Sequence, residues 1–315
     1  MEPHPRLKGA KASSTAQLSS VYFNTDDQCL RKAGFILRAR SDNRRYVQTT
    51  KSAGDGLFER SEWEQSVPGP EPETDALDDT PLAAVLGKKS RRKPQFTVTV
   101  ERQIYEVEEG VSLIEVALDS GRIKKGKGTA KAVLLSEIEL ELNHGIRSDL
   151  FALAHSLVAD VPVRLGVRSK AKRGYALLAG EPDQARKAEP IALSEDTTAA
   201  EAFVAVAHAC LRHMRLNEDV LLDHRDPNAL HQTRVAIRRL RSAFSLFGDL
   251  IRDSQSEQLR AELKRLSAPV GNARNLDVFL TKTLPKERAR HPDEIGLLSL
   301  GGILRRSARK PMQPS

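Results

Sequence analysis

The sequence predicts an α+β protein, in which an antiparallel β tunnel or barrel is followed by an all-α helical bundle. The first observation is that charged residues alternate with apolar ones in strand-like segments such as residues 35–40 and 136–142. Residues two apart in a strand point to the same face, so each segment has one charged face and one hydrocarbon face. Several such strands, basic and acidic, predict a sheet curved around a charged interior. The second observation is that strand patterns end near residue 180 and helical periodicity replaces them.

The composition limits the classes of function. Apolar residues make up 39% of the 315 residues, which is enough for two cores, but aromatic residues make up only 4%. This scarcity disfavours a stacking platform for single-stranded nucleic acid, which requires exposed rings. Cys29 and Cys210 are the only cysteines, so neither a disulfide framework nor a zinc site is expected. No signal peptide and no run near the ~18 apolar residues of a membrane span is found, so we expect a cytoplasmic protein without a membrane partner.

The strands are expected in the first domain, residues 1–179. Residues 1–19 are expected to be irregular, and residues 119–121 and 143–145 are predicted turns because Asp, Asn, Ser and Gly dominate them. A short helix is predicted at residues 80–86 and a longer one from Ser148 or Asp149 to Ala159. The predicted strands are residues 21–23, 35–40, 45–51, 58–67, 96–107, 112–119, 133–142 and 174–178.

The second domain, residues 198–315, follows a linker at residues 180–197 that is rich in Pro, Glu, Ala and Lys. A capping box of Thr198 and Glu201 predicts a helix to about Leu222. Asp226, followed by Pro227, predicts the start of a second helix, which runs to about Phe247. Two further helices are predicted at residues 254–266 and 275–283. Residues 197–315 hold 20 Lys and Arg against 13 Asp and Glu, which indicates an anionic partner for this domain.

The helix that begins at Pro227 carries a basic stripe of His231, Arg234, Arg238 and Arg241. Their spacings of 3, 4 and 3 place them within an arc of about 80°. No acidic residue lies between Pro227 and Gly248, so pairing within the helix cannot neutralise the stripe. Guanidinium groups bind phosphate oxygens in pairs, and a row at ~5.4 Å intervals suits a linear polyphosphate. The same spacing also fits a stripe paired with carboxylates of a neighbouring helix.

Residues 20–178 resemble the CYTH family of triphosphate tunnel metalloenzymes. The matching segments, in order, are Tyr22–Asp26, Leu30–Arg40, Val47–Lys51, Arg60–Glu64, Ser136–Glu141 and Arg168–Lys170. The resemblance implies that a triphosphate is held by Arg38, Arg40, Lys51, Arg102 and Lys170. It also implies that Mg²⁺ or Mn²⁺ is held by Glu137 and Glu139, with Glu62, Glu64 and Glu115 facing the same interior. A salt-bridged sheet face is the alternative for these glutamates.

The helical part resembles the CHAD domain, a helical module of histidines and basic residues associated with polyphosphate. The segments that carry this resemblance are residues 231–241 and 271–278. It implies that polyphosphate is bound by His231, Arg234, Arg238, Arg241 and Arg274.

Two departures from these families affect the expected function. The acidic-x-acidic-x-Lys strand that opens the CYTH family and supplies metal ligands is not found, so the tunnel is expected to lack its first strand and to have an open edge. The CHAD domain has two helical repeats, and residues 198–315 are few for both, so the helical bundle is expected to be partial.

The leading hypothesis is a bacterial protein that binds inorganic triphosphate or polyphosphate. Its ancestral activity would be metal-dependent hydrolysis of inorganic triphosphate, through in-line attack of water on a terminal phosphoryl group. The alternative is a non-catalytic polyphosphate-binding or granule-targeting protein that acts through the basic stripe. A third reading, a basic nucleic-acid-binding protein, has no recognisable motif in its support. Turnover stays open at this point, as do the preferred triphosphate and any protein partner.

Overall fold

The structure is a computed structural model that describes residues 7, 12–42, 45–52, 61–77, 80–86, 91–126, 132–180 and 184–308. The chain divides into two compact units, residues 1–182 and 183–315. Within the described ranges, all strands lie in the first unit and the second unit is helical. The predicted α+β class and the order of its two parts are therefore confirmed.

No helix in the described part of the chain is long and apolar enough to span a membrane.

The first unit is built on a seven-stranded antiparallel sheet with the strand order β4-β3-β2-β1-β5-β6-β7. The strands are β1 (Ala12–Asn24), β2 (Phe35–Ser41), β3 (Tyr46–Ser52), β4 (Glu62–Val67), β5 (Lys93–Glu109), β6 (Ser112–Lys125) and β7 (Ala132–His144). Among these described strands, β4 and β7 are the two edges, and no pairing between them is seen. Residues 58–60 of the predicted strand 58–67 lie outside the described residues, as do most of residues 1–11.

Two predictions about strand boundaries were wrong. Residues 12–19 were expected to be irregular, but they form the first half of β1, where they pair with β5. Residues 119–121 were expected to form a turn, but they lie inside β6 and pair with both β5 and β7. Gly121 lets β6 approach β5 closely, because a Cβ at this position would lie 2.0 Å from the carbonyl oxygen of Thr99.

The predicted strand at residues 174–178 was also wrong, because these residues belong to a helix. The helices of the first unit are α1 (Cys29–Lys32), α2 (Arg147–Asp160) and α3 (Lys170–Ala179), with short 3₁₀ turns at Asp75–Leu77 and Pro81–Ala84. The Ser169 side chain accepts a hydrogen bond from the backbone of Lys172 and so caps the start of α3. A short apolar run such as 174–178 fits a buried strand and a packed helix equally well, and tertiary packing decides between them.

The two faces of the sheet are buried against different elements. The inner face carries Tyr22 and Phe96 at one end, where they pack with Ala171 and Tyr175 of α3. The outer face is covered at two places. Phe23 and Leu37 pack against Leu77 and Leu82 of the 3₁₀ turns, and Ile114 and Val116 pack against Leu153 and Leu157 of α2. Charged residues beneath these two covers of the outer face would be buried, whereas the part of the inner face beyond α3 is left for polar groups.

The second unit consists of helices and a segment that precedes them. The helices are α4 (Ala199–His224), α5 (Pro227–Leu246), α6 (Ser254–Val278), α7 (Leu284–Arg290) and α8 (Ile295–Ala308), with a π-helical turn at Phe279–Thr283. Both predicted caps are confirmed, the Thr198–Glu201 capping box on α4 and Asp226 on α5. The predicted helices 254–266 and 275–283 are parts of one helical stretch, because α6 continues through Pro269.

The predicted linker is attached to α4 over part of its length. The buried Asn217 side chain pairs with the backbone of Arg186 in both directions, with N···O distances of 2.9 Å each. Glu189 also accepts a hydrogen bond from Arg212, at 3.1 Å. Residues 186–189 therefore belong structurally to the helical unit.

We predict that Gly174→Ala lowers the free energy of unfolding of the first unit by about 1–3 kcal/mol. Alanine normally favours a helix over glycine, but a Cβ at position 174 would lie 2.1 Å from a ring carbon of Phe96. Urea unfolding followed by circular dichroism measures the change. Gly166→Ala is the control, because nothing lies within 4 Å of its Cβ position, and equal effects of the two substitutions would contradict the packing described.

Candidate active site

The inner face of the sheet carries a first cluster of charges on β2, β3 and β4. Lys51 is opposite Glu62 in the strand register, and their Nζ and Oε2 atoms are 2.6 Å apart. The Arg40 guanidinium lies 3.4 Å from a Glu64 oxygen. Arg38 Nη2 lies 3.4 Å from Glu62 Oε1 and 3.7 Å from Glu64 Oε1. We call these five residues the basic cluster, since three cations share two carboxylates and leave one positive charge in excess.

A second group, the carboxylate cluster, consists of Asp119 on β6 with Glu137 and Glu139 on β7. One oxygen of each of these residues lies within 4.8 Å of the others. Arg102 of β5 supports this cluster, because its Nε and Nη2 atoms donate to the two Asp119 oxygens at 2.7 Å each. Arg102 Nη2 also donates to Glu139 at 2.5 Å. The Asp119 side chain is fully buried, so the bidentate pair with Arg102 holds its charge in place.

The ammonium group of Lys170, the first residue of α3, lies among the three carboxylates. Its Nζ atom is 2.8 Å from Asp119 Oδ2 and 2.8 Å from Glu139 Oε1, and it also contacts Glu137. One helical turn further on, Arg173 Nη1 lies 3.2 Å from the other oxygen of Glu137. Three cations, Arg102, Lys170 and Arg173, therefore balance three carboxylates.

The pKa values of this cluster follow from those contacts. Burial by itself would raise the pKa of Glu139, but Lys170 and Arg102 outweigh it and lower that pKa to about 2. Burial also opposes the charge of Lys170, whereas Glu139 and Glu137 raise its pKa above the ordinary value. Both groups are thus charged at neutral pH.

The two clusters face one interior. The pKa of Lys51 is lowered by burial and by Arg38, while Glu62 and Glu139 act in the opposite direction. Lys51 is on β3 and Glu139 is on β7, five places apart in the strand order, which would separate them by about 24 Å in a flat sheet. The strand register places both side chains on the same face, and an electrostatic effect across five strand positions indicates that this face is concave.

Most of the residues predicted from the sequence are brought together here. The exception is Glu115, which lies in register with Glu106 and Glu141 on the inner face, four residues along β6 from Asp119 and so about 13 Å away. Glu62 and Glu64 contact the cations of the basic cluster and lie outside the carboxylate cluster.

Sequence reasoning missed Asp119 and Arg173. Asp119 follows Glu115 and Ala117 at every second position of β6, a spacing that places it on the same face as Glu115. The Ser120-Gly121 pair led to the prediction of a turn, so this spacing was not used. Arg173 is three residues after Lys170, a spacing that places both on one side of a helix, but no helix was predicted here and the adjoining residues 174–178 were predicted as a strand.

The carboxylate cluster fits a divalent cation by the chemistry of its donors. Asp119, Glu137 and Glu139 offer only carboxylate oxygens, which are the protein ligands that Mg²⁺ and Mn²⁺ prefer. The three oxygens come from two adjacent strands, whose geometry fixes their spacing.

The helical unit carries a separate group of cations, which we call the basic surface. It consists of His231, Arg234, Arg238 and Arg241 on α5 and Arg274 on α6. The four residues of α5 are exposed, as the predicted stripe requires. Within the described ranges, none of the five forms an ion pair with a carboxylate, so the alternative of a stripe paired with neighbouring acidic residues finds no support. Burial, Arg274 and Arg234 lower the pKa of His231, which shows how closely these groups are placed.

The basic surface continues along the groove between α5 and α6. The groove is lined by Arg238, Arg241, Ser245, Arg260 and Lys264, among others. Arg241 is oriented by a hydrogen bond of 3.4 Å to Ser267 of α6, and Arg274 by one of 3.4 Å to the carbonyl of Pro227. Cations of both helices therefore border one path along the surface.

Comparison with known families matches both parts of the chain. The family model of the CYTH domain matches residues 3–175, and that of the CHAD domain matches residues 205–313. A curated relative, the inorganic triphosphatase of Haemophilus influenzae, is 32% identical over 163 residues, which cover 51% of this chain and 46% of the relative. The chain thus spans about half the length of the curated relative that it matches.

Two solved structures are similar to parts of the chain. The CHAD domain from the plant Ricinus communis is 35% identical over 40% of this chain and 41% of its own, with a TM-score of 0.35. A protein from Hippeastrum, described as a putative adenylyl cyclase with a dominant triphosphatase activity, is 15% identical over 57% of this chain and 93% of its own, with a TM-score of 0.41.

We predict that Arg102→Met lowers the free energy of unfolding by about 3 kcal/mol, because it leaves the buried Asp119 without its bidentate partner. Urea unfolding measures this loss. The double variant Arg102→Met, Asp119→Asn should be less destabilised than the sum of the two single variants. Strictly additive losses would show that the pair is not coupled as its geometry indicates.

Proposed function

This chain belongs to the CYTH family and carries a CHAD domain after its CYTH domain, and on this basis we propose that its first unit hydrolyses inorganic triphosphate with a divalent cation. The observation that carries the proposal is that the strand register places the basic cluster and the carboxylate cluster on the same face of one sheet. A condensed phosphate bound with a divalent cation needs both kinds of group around it. The likeness to an inorganic triphosphatase supports the same substrate class.

The basic cluster would hold the phosphoryl oxygens. Arg38, Arg40 and Lys51 project from neighbouring strands, and their ion-pair partners among the described residues are Glu62 and Glu64. Guanidinium groups can bind two phosphate oxygens at once, and the Lys51 ammonium acts as a point charge beside them. Burial strengthens each of these contacts relative to bulk water, since solvent screens them less.

The carboxylate cluster would hold the cation. Asp119, Glu137 and Glu139 suffice for this purpose, because Mg²⁺ commonly takes one or two carboxylates and completes its coordination with substrate oxygens and water. A bound cation would draw negative charge from the phosphoryl oxygens as the bond breaks. With these three carboxylates, the proposed site can bind the ion without ligands from the acidic-x-acidic-x-Lys strand of the family.

The reaction would be in-line hydrolysis. The oxygen of a water molecule, oriented by a carboxylate of the inner face, forms a bond to the terminal phosphorus. The bond from this phosphorus to the bridging oxygen breaks, one proton of the attacking water is released to solvent, and the products are phosphate and pyrophosphate. Arg38, Arg40 and Lys51 stabilise the charge on the leaving pyrophosphate.

The inner face favours an inorganic substrate over a nucleotide. Tyr22 and Phe96, its aromatic residues in the described ranges, are 3% and 1% exposed and lie beneath α3. No ring of the described inner face is therefore free to stack on a base.

We predict that Glu139→Gln reduces Mg²⁺- or Mn²⁺-dependent release of phosphate from triphosphate by more than about 100-fold, because it removes a charged ligand and a partner of Lys170. Phosphate release is measured with each cation and with EDTA. Glu141→Gln, two residues on along β7 and outside the carboxylate cluster, is the matched control and should keep its activity. Wild-type protein that binds triphosphate without any turnover would rule out the hydrolase.

We further propose that the helical unit binds polyphosphate through the basic surface. The observation that favours this second function is the absence of ion pairs to His231, Arg234, Arg238, Arg241 and Arg274 within the described chain. A row of cations such as that on α5, without ion-paired carboxylates among the described residues, attracts a linear polyanion, and the groove between α5 and α6 extends the row.

We predict that Arg234→Ala with Arg238→Ala weakens polyphosphate binding more than tenfold, since each charge-assisted hydrogen bond contributes about 1.5–3 kcal/mol. Fluorescence anisotropy with labelled polyphosphate measures the affinity. The control is Arg265→Ala, which removes an exposed arginine of α6 that is already paired with Glu262 at 2.7 Å. Equal competition by duplex DNA at moderate salt would favour a nucleic-acid-binding surface instead.

A further inference from the structure

The position of Lys170 relative to the three carboxylates has a consequence for how the site is filled. The ammonium contacts one oxygen of each, Asp119 and Glu139 at 2.8 Å and Glu137 as the third. Carboxylate oxygens of the same three residues lie within 4.8 Å of one another and would surround a divalent cation. We propose that Lys170 is a built-in competitor, an internal cation that occupies the metal position until a divalent ion displaces it towards the phosphate. This inference rests on the proposed function.

The charge balance of the carboxylate cluster supports competition between Lys170 and a divalent ion. Arg102, Lys170 and Arg173 neutralise Asp119, Glu137 and Glu139, so the cluster has no net negative charge to attract an ion while Lys170 stays in place. A divalent cation among the same three carboxylates would face the ammonium at close range, and repulsion between them would be strong in this partly buried setting. Ion binding therefore requires the ammonium to move.

Lys170 is the cation of the cluster that can move at least cost. Arg102 is fixed by two parallel hydrogen bonds of 2.7 Å to the fully buried Asp119. Arg173 touches only the outer oxygen of Glu137, at 3.2 Å, and does not block the centre. Lys170 has a flexible four-carbon stem, and its backbone is held by the capped start of α3, so the ammonium can turn away while the helix stays in place.

Displacement of the Lys170 ammonium would couple the binding of triphosphate to the binding of the divalent ion. A triphosphate on the inner face offers the displaced ammonium new anionic partners, which favours the state in which the carboxylates are open to the ion. The ion in turn releases the ammonium for the phosphate. By linkage, each ligand then raises the affinity for the other.

The test is the affinity of the metal-free, triphosphate-free protein for Mn²⁺, measured by electron paramagnetic resonance of the free ion. Lys170→Met should bind Mn²⁺ at least about tenfold more tightly than wild type, because coupling between close charge pairs commonly reaches that size. Lys172→Met removes the same charge from an exposed position of α3 and should leave the affinity unchanged. Lys170→Gln, which keeps a polar side chain, should also tighten binding and serves if Lys170→Met does not fold.

The outcomes separate this inference from the proposed function. Mn²⁺ binding that is lost in Glu139→Gln but is equal or weaker in both Lys170 variants would overturn the competition and leave the metal site standing. No Mn²⁺ binding by wild type or by either Lys170 variant, in the absence and in the presence of triphosphate, would overturn both the competition and the proposed function. Tighter binding in Lys172→Met by the same factor would show a general charge effect, which also contradicts a specific competitor.

Discussion

The two-residue period of the β-strand is the constraint on which the first unit depends. Because alternate side chains point to opposite faces, β7 can place Glu137 and Glu139 on the inner face while Ile138 and Leu140 pack with α2 on the outer face. The same separation holds on β2, where Arg38 and Arg40 flank the buried Ala39. Two hydrophobic clusters on the outer face thus fix the orientation of the charges that form the candidate site on the inner face.

The charges of the two clusters are costly to keep and are nearly balanced. Together the clusters hold six cations and five carboxylates, and each of these carboxylates contacts at least one cation. Buried ion pairs seldom stabilise a fold more than well-packed apolar residues would, so such a concentration is better explained by a ligand than by stability. The one positive charge in excess in the basic cluster suits an anion, and the carboxylate cluster suits a cation bound beside it.

The cations of the basic surface on the helical unit lack the ion-paired carboxylates that those of the sheet have, among the described residues. On the inner face of the sheet each cation has an acidic neighbour, whereas Arg234 and Arg238 on α5 have none among the described residues. The first arrangement positions individual groups around a small, highly charged ligand. The second leaves a continuous positive surface, which suits a long polyanion and places few demands on its exact position. The two units would therefore bind condensed phosphates of different length, a short one on the sheet and a long one on the helical unit.

The sequence by itself determined the α+β class, the division near residue 180, the capped helices α4 and α5, and the charged faces of β2 and β7. These features depend on local periodicity and on capping residues, which act within a few positions along the chain. Only the tertiary structure decided that residues 170–179 form a helix on the inner face, that Asp119 lies inside β6, and that Glu115 lies apart from Glu137 and Glu139. The position of Lys170 among three carboxylates depends on how α3 packs against Tyr22 and Phe96, contacts between residues far apart in the chain, and no local pattern encodes them.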